Sequence, residues 1–200
     1  MAHDWPEVYL ARHGETAWAM SGKYTGLSDI PLTPRGERNA TALGQRLDIH
    51  KFSRVFSSHL QRQRRTCELA GFGDRVEIDP RLVEWNYGEY DGLTRTEIYE
   101  RNPDWDLFID GCPGGESPAD VIARADSVIA DWRKIEEKIL AFSSGHFSRV
   151  LAARWCGFDV AFGKHLYLAT AALNVLGYNR DLSEPAVRLW NDCRHVRYDS

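Results

Sequence analysis

EVYLARHGET, residues 7–16, is the stretch on which the fold turns. Glu7 to Ala11 is a short apolar run that ends on a polar cluster, the pattern of a buried strand opening onto a loop. Thr33 and Pro34 then start a helical stretch through Leu47, with Thr33 suited to the N-cap and Pro34 to the first helical position. Phe52 to Phe56 reads as a second buried strand ending in Ser57-Ser58. A helix over Leu60 to Ala70 follows, stopped by Gly71, and Val76 to Ile78 makes a short third strand.

Beyond this, Asn102 to Ser117 is rich in Pro, Gly and Asp and predicts a long loop. Pro118 to Lys138 has helical periodicity, with Val121, Ala125, Val128 and Trp132 on one face. Ile139–Phe142 predicts a strand, Val150–Cys156 a helix, and Leu173–Leu176 and Ala186–Leu189 the last strands. Strands alternate with helices, so the expected fold is α/β: a mostly parallel sheet covered by helices, in one domain over residues 1–200. In such sheets ligands bind beyond the carboxyl ends of the strands. Three polar clusters fall at such ends: Arg12 to Thr16, Ser57-Ser58 with Arg62, and Ser143 to His146.

The bulk properties narrow the partners. With 43% hydrophobic and 27% charged residues the chain has the composition of a globular protein rather than a disordered one. Net charge is −4 and no Lys/Arg run occurs, which argues against nucleic acid and membrane surfaces as partners. No apolar stretch is long enough to span a membrane, and Met1 to Glu7 lacks a signal-peptide core. A cytoplasmic location is expected. Cys67, Cys112, Cys156 and Cys193 are far apart, with no metal-ligand spacing, so free thiols are expected and a metal or redox centre is not. His3, His50, His165 and His195 are read as surface or structural, as are the charges of Arg64, Arg65, Glu89, Glu97 and Glu100, while Trp18, Trp155 and Trp190 are read as core or pocket wall.

Chemistry concentrates at Arg12-His13-Gly14. A neutral imidazole is a competent nucleophile, and phosphoryl transfer needs positive charge around three equatorial oxygens. Arg12 supplies a guanidinium fork, and Gly14 would let its backbone N–H approach the same oxygens. Glu84 has Trp85, Tyr87 and Tyr90 for neighbours, company that would desolvate it and raise its pKa as a general acid requires.

YLARHGET (9–16) and YTGLSDIPLT (24–33) closely resemble the histidine phosphatase, or phosphoglycerate mutase-like, superfamily. So do SSHLQR (57–62) with Thr66, LVEWNYG (82–88) with Gly92, and GHFSR (145–149), in the family's order along nearly the whole chain. The resemblance implies a three-layer αβα sandwich and metal-independent phosphomonoester hydrolysis without a cofactor. It implies that His13 becomes phosphorylated, that Arg12 and Arg62 clamp the phosphate, and that Glu84 protonates the leaving oxygen. Thr25 and Gly26 match contacts to the small phosphate ester, and Gly14, Ser144 and Gly145 fall in the matching anion-binding turns.

One position departs. The family's second histidine precedes the glycine matched by Gly145, and here that place is Ser144. Either His146 turns into the pocket and substitutes, or the site works with one donor fewer. The latter costs ~10²–10³ in rate and leaves a slow enzyme or a phospholigand-binding protein. A phosphoglycerate mutase-type phosphotransferase is the further alternative. The lack of a long insertion after Glu84, and Ala19 where mutases carry asparagine near Trp18, favour hydrolysis. SGKYTGLSD (21–29), EWNYGEYDG (84–92) and DGCPGGE (110–116) are most similar to the sedoheptulose bisphosphatase branch, which points to sugar phosphates. Gly114 and Gly115 would let the last of these close as a lid.

Overall fold

The computed structural model describes residues 5–196; His3 and the Met1–Asp4 part of the N-terminal reading lie outside them. Six strands form one sheet in the order β3-β2-β4-β1-β5-β6. They are β1 Val8–Arg12, β2 Arg54–Ser57, β3 Val76–Ile78, β4 Ile139–Ser143, β5 Leu173–Tyr178 and β6 Pro185–Asp192. The β3-β2-β4-β1 half is parallel, whereas β5 runs antiparallel to β1 and β6 antiparallel to β5. The expected αβα sandwich is therefore present, with an antiparallel edge.

Helices are α1 Ala17–Met20, α2 Pro34–Leu47, α3 Gln61–Leu69, α4 Arg95–Arg101, α5 Leu107–Asp110, α6 Pro118–Trp132 and α7 Gly145–Trp155. Strand side chains alternate between two faces, and here both faces are buried. Val8, Leu10, Ile139 and Ala141 pack with α6 and α7, against Val121, Ala125, Val128, Phe147 and Leu151. Tyr9, Ala11, Leu140 and Phe142 pack with α2 and α3, against Leu43, Leu47 and Cys67. That is why β1 and β4 read as continuous apolar runs rather than alternating ones.

Local chemistry sets the boundaries. Thr33 caps α2 by accepting from the Gly36 N–H, with Pro34 in the first turn, and Gly71, at φ +88°, follows α3. Three boundaries differ from the sequence reading. α6 stops at Trp132, six residues early, where the apolar face ends and Arg133 takes the C-cap. α7 begins at Gly145, not Val150, and no side chain caps it. The 102–117 loop contains α5, capped by Asp106. α4 was not foreseen, although Thr94 and Glu97 form a capping box. No helix among the described residues is long and apolar enough to cross a membrane, and Cys67, Cys112 and Cys156 form no disulfide.

Candidate active site

Because β2, β4 and β1 are parallel neighbours, their carboxyl ends share one edge and bring the three polar clusters together. A cavity of about 290 Å³ opens there, lined by Arg12, His13, Thr25, Glu84, Gly145 and His146 together with Tyr24, Tyr87, Arg95 and Arg149. His13 continues β1: its N–H donates to the Ser143 carbonyl at 3.0 Å and its carbonyl accepts from the Ala171 N–H. The ring Nδ1 lies 2.7 Å from the Gly14 carbonyl. A carbonyl only accepts, so Nδ1 carries the proton and Nε2 keeps its lone pair. Burial, then the charges of Arg62 and Arg12, hold the His13 pKa well below the usual imidazole range. The ring is neutral, as a nucleophile must be.

The two arginines are held differently. Arg12 donates through Nη1 to the Leu168 carbonyl at 2.6 Å, and its buried Nε has no partner. Arg62 is fully buried. Its Nη1 donates to the Ser28 carbonyl and its Nη2 to the carbonyls of Gly26 and Thr25, leaving only Nε without a partner. Asp91 grips the same loop from the other side, accepting from the N–H groups of Gly26 and Ser28. Arg62 thus spends three of its five N–H groups on the Thr25 wall of the cavity and keeps its Nε–H to spare, rather than offering a free fork.

Glu84 corrects an expectation. Burial does push its pKa up, but three backbone N–H groups, of Trp85, His146 and Phe147, hold the carboxyl below its usual range. The last two belong to the first turn of α7, at 3.0 and 2.7 Å, and Trp85 N–H is at 3.0 Å. Helix N-terminal N–H groups stabilise a carboxylate. The aromatic neighbours bury Glu84; the helix end keeps it ionised. Arg124 braces the segment, donating to the Arg81, Val83 and Glu84 carbonyls and pairing with Glu116 at 2.7 Å.

His146 does lie in the cavity wall. Its Nδ1 meets the Tyr87 hydroxyl at 2.6 Å and its ring stacks on Tyr24 at 5.7 Å. Burial lowers its pKa to about 3, so the ring is a neutral group. Ser144 is fully buried and accepts a hydrogen bond from the Gln63 amide.

Gly14 and Gly26 do not offer their N–H groups to a ligand. Gly14 donates to Thr66 Oγ1 at 2.9 Å and Gly26 to Asp91. Gly14 is small because a Cβ there would lie 2.6 Å from the Gly36 carbonyl oxygen. Gly115 likewise abuts the Asn86 carbonyl, and the 111–116 turn is tied to 86–89 through Glu116 N–H to Asn86 and Glu89 N–H to Pro113. Close packing, rather than lid closure, accounts for that glycine. The sequence reading missed Tyr24, Arg95 and Arg149, and gave Tyr87 only as an aromatic neighbour of Glu84. Only Arg149 left a signal, its helical spacing of three from His146. Among the described residues no group of three or more His, Cys, Asp or Glu side chains could hold a metal ion.

Comparison with known proteins agrees with this geometry. The family model described as histidine phosphatase superfamily (branch 1) matches residues 8–193. An acid phosphatase of Mycobacterium tuberculosis is 38% identical over 184 residues, 90% of each chain. The sedoheptulose 1,7-bisphosphatase of Saccharomyces cerevisiae is 32% identical, over 96% of this chain and 81% of its own. A solved structure of a Mycobacterium tuberculosis open reading frame superposes with a TM-score of 0.88 at 35% identity, covering 92% of this chain and 96% of that one. The chain belongs to the histidine phosphatase superfamily and is a phosphatase.

Proposed function

We propose that the protein is a metal-independent phosphomonoester hydrolase acting through a phosphohistidine at His13, on small phosphorylated metabolites such as sugar phosphates. The observation that carries this reading is the fixed tautomer of His13, whose Nε2 lone pair is left for phosphorus beside Arg12 and Glu84. His13 attacks in line while Arg12, with the spare N–H of Arg62, meets the equatorial oxygens. Glu84 is held ionised by its N–H donors. A phosphate monoanion arriving beside it raises its affinity for a proton, which it passes to the departing alkoxide. Ionised again, it activates the water that releases phosphate from His13.

A second cavity of about 250 Å³ adjoins the first and shares Tyr24, Arg95, His146 and Arg149 with it, adding Lys164 and Asp106. Arg149 has no hydrogen bond or ion pair among the described residues and its Nε is buried. These cations favour a substrate with a second anionic group, such as the bisphosphate for which the yeast relative is named. Ala19, which lines the cavity where mutases carry asparagine, favours water over a second hydroxyl as the acceptor.

The test is to mix enzyme with a phosphate ester in the presence of EDTA, quench, and look for acid-labile phosphoryl-enzyme. A phosphoryl group that appears on wild type and is absent from His13→Ala is the expected result. Full turnover by His13→Ala refutes the nucleophile. Transfer of the phosphoryl group to an added sugar, in place of release to water, supports the mutase alternative.

A further inference from the structure

Gln63 is fully buried in the first turn of α3 and has no part in the reaction as described above. Its Nε2 donates to Ser144 Oγ, and its Oε1 is buried without any hydrogen-bond partner among the described residues. A buried acceptor left without a donor forfeits its hydration with nothing in return. An apolar side chain would fill the same space without that cost, so packing does not explain the amide.

Ser144 stands where β4 gives way to α7. The register that pairs Arg12 with Ser143 places Ser144 beside His13 at the strand ends. On its other side Gly145 lies against Arg12, where an added Cβ would come within 3.2 Å of the guanidinium carbon. Ser144 is thus flanked by the two residues that meet the phosphoryl group in the proposed reaction. A hydroxyl has one hydrogen and two lone pairs. Gln63 occupies a lone pair, and among the described residues no acceptor takes the hydrogen. A hydrogen bond accepted by the oxygen also polarises the O–H and strengthens it as a donor.

We infer that Gln63 is a positioning residue that holds Ser144 as a neutral hydrogen-bond donor to the phosphoryl group transferred to His13. The inference rests on the phosphohistidine reading. The pair supplies through a hydroxyl dipole what an imidazolium would supply by charge. A hydroxyl donor does not titrate in the working pH range, so it imposes no alkaline limit on the rate.

The test compares wild type with Gln63→Met, Gln63→Glu and the double variant Gln63→Ala/Ser144→His. The readouts are p-nitrophenyl phosphate kinetics across pH, orthovanadate inhibition and thermal unfolding. Gln63→Met should lower kcat/KM and vanadate affinity about 10–100-fold, less than outright loss of an oxyanion donor. Gln63→Glu, which only accepts, should lose more. The double variant should recover rate and acquire a new ionisation, activity falling above an imidazole pKa of about 6.5. A merely structural amide would not create that limb. Should Gln63→Met fail to fold, Ser144→Thr, which keeps a hydroxyl, and Ser144→Ala, which does not, carry the test. The inference is overturned if folded Gln63→Met and Gln63→Glu stay within about threefold of wild type, or if Ser144→Ala equals Ser144→Thr. A wild type that binds vanadate without turnover defeats the phosphohistidine reading instead, and its vanadate affinity against that of Gln63→Met still reads the donor.

Discussion

Replacing Arg62 with methionine removes a buried fork that holds three carbonyls at once. The bonds to Ser28 and Gly26 are 2.7 Å and that to Thr25 is 3.2 Å. Gly26 is buried, so its carbonyl is left dry and unpaired at about 1–3 kcal/mol; Ser28 and Thr25 are half-buried and recover part of their loss from water. Removing a buried cation returns some of its desolvation cost. The balance is a destabilisation of about 3 kcal/mol. For a chain of this size each kcal/mol lowers Tm by about 2–4 °C, so a fall of about 6–12 °C is expected in thermal unfolding followed by circular dichroism. Activity should fall further than stability implies. The Thr25 wall shifts and the spare Nε donor disappears, for a loss of about 10²–10³ in kcat/KM on p-nitrophenyl phosphate at a temperature where both proteins are folded. Arg62→Lys should recover part of the rate but little of the Tm, since one ammonium cannot span three carbonyls. An Arg62→Met protein with Tm within about 2 °C and kcat/KM within about threefold of wild type would refute the assignment of both duties to one guanidinium.

Glu84→Gln should slow alkyl phosphates about 10²–10⁴-fold while sparing aryl phosphates, whose leaving groups need little protonation; equal losses on both would remove Glu84 as proton donor. Arg149→Met should raise KM for bisphosphates about tenfold and leave p-nitrophenyl phosphate unchanged; equal effects on the two substrates would dismiss the second anionic subsite. Stability should fall on acidification. His13 and His146 have folded pKa values below their unfolded value near 6.5, so the unfolded chain binds more protons below that pH. Each ring then costs up to about 1.4 kcal/mol per pH unit as pH drops from about 6.5 towards its folded pKa. His146→Phe should flatten that slope in urea melts between about pH 6 and 4, and an unchanged slope would contradict the neutral buried ring.

The sequence carried the parts of this molecule that depend on neighbours along the chain. Thr33-Pro34 marked the start of α2 and the apolar runs marked β1 and β4, because caps and strand burial leave local signatures. The start of α7 was hidden: Ser144 offers no side-chain cap, and glycine in a first turn resembles a loop. The same blind spot misled the reading of Glu84, two of whose three N–H donors lie 62 and 63 residues further on. Motif matching brought Arg12, His13, Thr25, Glu84, Gly145 and His146 to one cavity. It gave Gly14, Gly26, Arg62 and Ser144 ligand contacts, whereas their hydrogen bonds run mainly to the protein behind that cavity. Tyr24 and Arg95 reach the wall through tertiary packing, which no local pattern records.

The sheet order gives the assembly of this catalyst a timetable. β4 is the fourth strand made, yet it lies between the first and second. Until Ile139–Ser143 threads into that gap, the nucleophile on one side and the α3 cation on the other have no common floor. A ribosome-bound chain that has released only its first three strands carries most of the reactive side chains and no active centre. Turnover regained on refolding therefore requires that central strand to be in place.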